Sequence, residues 1–176
     1  MGSIRPLRPV AFFASIMLSD HALMPETEAA LSGLLGPIGE KTAPVPFTYS
    51  DYYREEMGDL SRCFVFFVRL GPRESLVDAK LATNEIEEKL SVSGRRRVNI
   101  DPGYLALEHV VLATTKGYSH RLYLGRGIFG DLTLMFQNGG YKPLPWTYPD
   151  YAAEETTQMF NRWRQHYKEQ LRCRKA

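Results

Sequence analysis

Apolar residues fill positions 10–18 almost without interruption, the pattern of a strand buried on both faces. A second run, 62–70, carries Phe64, Val65, Phe66, Phe67 and Val68 at its centre and is closed by Gly71 and Pro72. Between the two runs, Ala29, Ala30, Leu31, Leu34 and Leu35 recur at helical spacing behind Pro25 and Glu26, and Gly36 and Pro37 stop that helix. Residues 38–47 are extended, and Pro44 and Pro46 put them at a sheet edge. Leu76, Ala79, Thr83, Ile86 and Leu90 predict a helix over 73–90. A short strand follows at 98–100. Asp101, Pro102 and Gly103 then read as a turn, and 104–115 as a helix packing through Leu105, Leu107, Val111 and Leu112. Residues 120–124 and 128–136 predict a hairpin around Gly125, Arg126 and Gly127. A turn at Asn138, Gly139 and Gly140 leads into 141–144. A last helix over 150–171 lines up Met159, Phe160, Trp163, Tyr167 and Leu171 on one face.

The first hundred residues therefore run strand, helix, strand, strand, helix, strand, with one small helix inserted before the third strand. This predicts an α+β fold: a ferredoxin-like βαββαβ core extended by a helix, a β-hairpin and a long C-terminal helix. One domain spans 1–176, with a short flexible N-terminus to about residue 8 and a tail from about residue 172.

The chain uses one phrase twice. Pro46, Thr48, Tyr49, Asp51, Tyr52, Glu55 and Glu56 recur ninety-nine residues later as Pro145, Thr147, Tyr148, Asp150, Tyr151, Glu154 and Glu155. Thr three residues before Asp is the spacing of a helix cap, and Pro149 suits a first helical turn. Thr48 and Thr147 are thus expected to cap helices. Capping needs no matched tyrosines, however. The shared aromatics and acids suggest that Tyr49, Asp51, Tyr148 and Asp150 face each other or a common ligand. The plainer reading is two independent caps with packed aromatics.

Composition narrows the partners only a little. The net charge of +2 neither demands nor excludes nucleic acid. Two cysteines make no disulfide scaffold and no metal motif, which fits a reducing cytoplasm; no metal ligand is assigned. The apolar run after Arg5 and Arg8 has the outline of a signal peptide, but it is short, ends at Ser19 and Asp20 and lacks a clean cleavage site, so a buried first strand is expected. No stretch has the length of a membrane span.

Polar chemistry is densest between residues 95 and 121. Arg97, Asn99, Asp101, Tyr104, Lys116, His120 and Arg121 fall there, around a helix expected at 104–115. Arginine and lysine at strand ends suit an anionic group, phosphate above all. Asp101 and His120 are the candidates for proton transfer. Each residue has a plain structural alternative: Asp101 as a turn-former, the run Arg95 to Arg97 as a solvated face, His120 as an ordinary surface or core histidine. Asn84 is mildly odd inside a helix. There is no P-loop, no nucleophile elbow and no zinc motif.

Several segments together resemble the bacterial and archaeal family catalogued as domain of unknown function 4416. They are Phe47 to Tyr53 with Glu56, Met57 and Gly58; Lys80, Thr83, Asn84 and Glu87; Arg97 to Tyr104; Ala113 to Lys116; Ser119 to Gly125; and Leu144 to Tyr151. The resemblance implies a cytoplasmic single-domain protein and brings no established activity, so it carries over no catalytic residue and no cofactor. Two functional readings follow from the residues. The first is a small-molecule site for an anionic or phosphorylated ligand, with or without a reaction. The second is a module that binds RNA or protein without chemistry. The cofactor, oligomeric state and ligand are left open.

Overall fold

The structure is a computed structural model that describes residues 2–3, 6–49 and 54–174. In chain order its main elements are β1 (Val10–Leu18), α1 (Met24–Leu35), β2 (Ile38–Lys41), β3 (Val45–Pro46), α2 (Arg54–Met57), β4 (Ser61–Gly71), α3 (Ser75–Lys89), β5 (Val98–Leu105), β6 (His109–Thr114), β7 (Arg121–Gly125), β8 (Ile128–Gln137), β9 (Gly140–Pro143), α4 (Pro149–Ala152) and α5 (Glu154–Cys173). The fold is α+β, built on one sheet whose strands all pair antiparallel in the order β2-β4-β1-β5-β6-β8-β7. β3 adds to the start of β4 and β9 to the end of β8.

β1 is central because all nine of its residues are buried, and a strand apolar on both faces needs cover on both. On one face Phe12, Ile16, Cys63, Val65 and Phe67 pack with Leu31 of α1 and with Leu76 and Ala79 of α3. On the other, Phe13, Phe64 and Phe66 meet Phe160, Trp163 and Tyr167 of α5. Phe13 and Phe160 meet edge to face with centroids 4.9 Å apart. Each fully buried aromatic there contributes roughly 2–3 kcal/mol, so this seam holds α5 on the sheet. Among the described residues no helix is long and apolar enough to cross a membrane.

The sequence expectations need correction in four places. Residues 104–115 are no helix: β5 runs on to Leu105 and turns back as β6. Val110, Val111, Leu112 and Ala113 are buried on both faces of the sheet, and a short apolar run of that kind carries no period that tells strand from helix. Asp101, Pro102 and Gly103 are consequently mid-strand, not a turn. Pro102 is tolerated because β6 pairs with β5 only from Gly103 onward, so its missing N–H falls on an unpaired edge. The C-terminal helix is two helices, broken at Ala153 with ψ 141°. Finally, Thr147 caps nothing. The residue before α4 is Tyr148, without a side-chain cap. The Thr147 hydroxyl instead donates to the Thr133 carbonyl at 2.5 Å and accepts from the Leu144 N–H at 2.8 Å. It fastens the chain to β8 in the gap between β7 and β9. The matching expectation for Thr48 turns on residues 50–53, which lie outside the described residues, as do Asp51 and Tyr52.

Candidate functional site

The site arises where the sheet splits. β5 pairs with β1 along its whole length, but among the described residues its other edge has no strand partner between Val98 and Pro102. Backbone groups on that edge must be satisfied or hydrated. Two side chains of α3 do this. Glu87 Oε1 accepts from the Ile100 N–H at 2.8 Å, and Lys80 Nζ donates to the Ile100 carbonyl at 2.9 Å. Both occupy core-facing positions of α3, in step with Leu76, Ala79 and Thr83. Burial pushes the Glu87 carboxyl above its ordinary range, against the pull of Lys80.

A cavity of about 400 Å³ opens in this gap, at the small end of the usual range for small-molecule sites. Its floor holds Arg62 of β4. The guanidinium bonds Ser15 Oγ at 2.9 Å, forms an ion pair with Asp150 and lies 4.5 Å from the Tyr151 ring centre and 5.7 Å from that of Phe47. Phe47 lies within the first copy of the repeated phrase, and Asp150 and Tyr151 within the second, so Arg62 touches a residue of each. Tyr49 and Tyr148 both line the same cavity, while Asp51 lies outside the described residues.

Asp101 projects from β5 into the cavity. Lys80 Nζ lies 3.2 Å from its Oδ1, and Asn99 Nδ2 donates to its Oδ2 at 2.8 Å. Arg96 ties this wall to α2 through Glu56, at 2.8 and 2.6 Å. The Arg96 hydrogen bond holds the Glu56 carboxyl below its ordinary range. On the opposite wall Arg121 is fully engaged: Nε donates to Asp131 at 2.9 Å, one terminal nitrogen to the Lys116 carbonyl at 2.9 Å and the other to the Tyr148 hydroxyl at 2.7 Å. Burial opposes the Arg121 charge, but Asp131 and Tyr148 outweigh it and raise its pKa. Lys116 lines this wall and is exposed. The Tyr151 hydroxyl is buried with no hydrogen-bond partner among the described residues, and burial pushes it up to about 12.

Of the residues singled out from sequence, Asn99, Asp101, Lys116, Arg121, Tyr49, Tyr148 and Asp150 line this cavity. Three are elsewhere. Arg97 pairs with Asp20 at 2.5 Å, so Arg97, Lys116 and Arg121 do not converge as a trio. Tyr104 lies on the α3 face of the sheet, with its hydroxyl 3.2 Å from His109 Nε2. His120 stacks on Trp146 at 5.2 Å and reaches Asp131 at 3.3 Å, outside the lining. Sequence reasoning passed over Arg62, Lys80, Glu87 and Asp131. The signal for two of them was present: Lys80, Thr83 and Glu87 recur at the helical spacing of a buried face. Among the described residues no group of three or more His, Cys, Asp and Glu side chains is placed to hold a metal ion.

The family model described as Domain of unknown function (DUF4416) matches residues 8–167, and the chain belongs to that family. No curated protein matches the chain, and no solved structure does.

Proposed function

We propose that the protein binds a small anionic or phosphorylated molecule in the cavity between β5 and β6. One observation carries this reading: all five charged residues that the fold buries among the described residues, Arg62, Lys80, Glu87, Asp131 and Asp150, line this one cavity. Burying charge is costly unless it is paired, and concentrating it around a single cavity is characteristic of functional sites. Lys116, exposed on this wall, meets the ligand's anionic group, while Arg121 fixes the wall through Asp131 and Tyr148. Where the site carries out a reaction, Asp101 is the proton-transfer group, and His120 acts only through Asp131.

Thermal-shift titration with inorganic phosphate, nucleotides and sugar phosphates tests the reading. At least one class raises the melting temperature, and Lys116→Ala reduces the rise. No shift with any of them overturns it.

A second reading, a module that binds protein or RNA, is favoured by the exposed Tyr118, Leu122, Tyr123 and Leu124 on and beside β7. RNA or protein binding that is lost in Tyr123→Ala and kept in Lys116→Ala would select it.

We read β1, α1, β2, β4, α3 and β5 as a ferredoxin-like core within one domain; the antiparallel order β2-β4-β1-β5 supports this. We place the protein in a reducing cytoplasm, a reading supported by two free thiols, of which buried Cys63 is pushed up to about 11 by desolvation.

A further inference from the structure

We infer that the ligand carries a cationic group beside its anionic one, and that Asp101 recognises it. The inference rests on the reading of the cavity as an anionic-ligand site and narrows that reading to phosphorylated amines and related zwitterions. Among the described residues four carboxylates line the cavity. Three are sealed and matched inside the protein: Glu87, with its side chain 8 % exposed, by Ile100 and Lys80; Asp131, 3 % exposed, by Arg121; and Asp150, 10 % exposed, by Arg62. Asp101 differs. Its side chain is 31 % exposed, while its partner Lys80 is 7 % exposed.

Lys80 and Asn99 each take one Asp101 oxygen. A carboxylate offers about four lone-pair sites, so acceptor capacity is left over, directed at a ligand. An open carboxylate repels a ligand that is only anionic. A ligand that also brings an ammonium turns the same group into an attraction, with its anionic end on the Lys116 wall. Asn84 of α3, one turn beyond Lys80, also lines the cavity, and its side-chain amide makes no hydrogen bond among the described residues.

Calorimetric titration with phosphoethanolamine, ethyl phosphate and ethanolamine decides the matter, on the unaltered protein and on Asp101→Asn and Lys116→Ala. The unaltered protein binds phosphoethanolamine about tenfold tighter than ethyl phosphate, the scale of one charge-assisted hydrogen bond. Asp101→Asn removes that preference by changing the two probes in opposite directions: phosphoethanolamine binds more weakly and ethyl phosphate more tightly. Lys116→Ala weakens both. Ethyl phosphate bound as tightly as phosphoethanolamine by the unaltered protein would overturn the inference and leave the anionic-ligand reading standing. Tight binding of ethanolamine with no binding of either phosphate probe would overturn both. The comparison on the unaltered protein needs no variant to fold.

Discussion

Asp150 of α4 forms an ion pair with Arg62 of β4, with side chains 10 % and 7 % exposed. The pair joins the second copy of the repeated phrase to the floor of the cavity. Asp150→Ala leaves Arg62 buried with, among the described residues, only Ser15 and the aromatic rings as partners. Loss of one partner from such a pair costs about 3–5 kcal/mol, and urea denaturation reads it directly. An unchanged midpoint would mean that Ser15 and the rings suffice.

Glu87 supplies the acceptor for Ile100 that a neighbouring strand would otherwise give. Glu87→Ala strands that N–H and weakens the hold on Lys80, at about 2–3 kcal/mol. Glu87→Gln keeps an acceptor and separates the charge from the hydrogen bond. Burial raises the folded-state pKa of Glu87 above its ordinary 4.5. Its contribution to stability is therefore full below that value and is lost as pH rises through the elevated folded one. Glu87→Gln should gain on the unaltered protein as pH increases, in melting curves taken from about pH 4 to about pH 8. A constant difference across that window would count against the burial of an ionisable Glu87.

Thr147 holds the chain to β8 and to Leu144 with a single hydroxyl. Thr147→Val preserves shape and removes both bonds, destabilising by about 1–3 kcal/mol. Thr147→Ser recovers most of the loss in the same denaturation experiment.

Glu56 responds in the opposite sense to Glu87. The Arg96 hydrogen bond lowers its folded-state pKa below 4.5, so its stabilising contribution is present above that value and is lost as pH falls through the lowered one. The pair is about one-third exposed, so solvent screening keeps the effect of Glu56→Gln within ~1 kcal/mol. The deficit should shrink in high salt and vanish in acid, as followed by melting temperature.

Gly103 lies in β5 against Phe13. A Cβ there would sit 2.4 Å from Phe13 Cζ and 2.7 Å from the Val111 carbonyl oxygen. Since a backbone atom cannot step aside as a flexible side chain does, Gly103→Ala should cost roughly 1–3 kcal/mol or more, measured by chemical denaturation. A near-neutral result would mean that β5 and β6 separate more easily at that point than their pairing suggests.

Local pattern in the chain was enough for β1, β4, α1, α3, α5 and the β7–β8 hairpin, because each carries its own period or its own glycine turn. It was also enough to bring Tyr49, Tyr148 and Asp150 under suspicion, because a repeated phrase is visible without coordinates. What it could not reveal was where a strand finds its partner. β5 extends to Leu105 because β1 offers it hydrogen bonds along its whole length, and β6 is a strand because β5 and β8 lie on either side of it. Neither fact is written in the residues between 98 and 114 alone. The site depends on the same non-local pairing. Lys80 and Glu87 share the buried face of α3 in the sequence, but the groups they satisfy there, the Ile100 N–H and carbonyl, come into view only with the edge of β5 beside them. Arg97 looks equivalent to Arg96 until tertiary packing turns one toward Asp20 and the other toward Glu56. Hydrophobic periodicity is a property of neighbours in sequence. The placement of buried charge is settled by the groups that must be satisfied across the fold, and those belong to residues far apart in the chain.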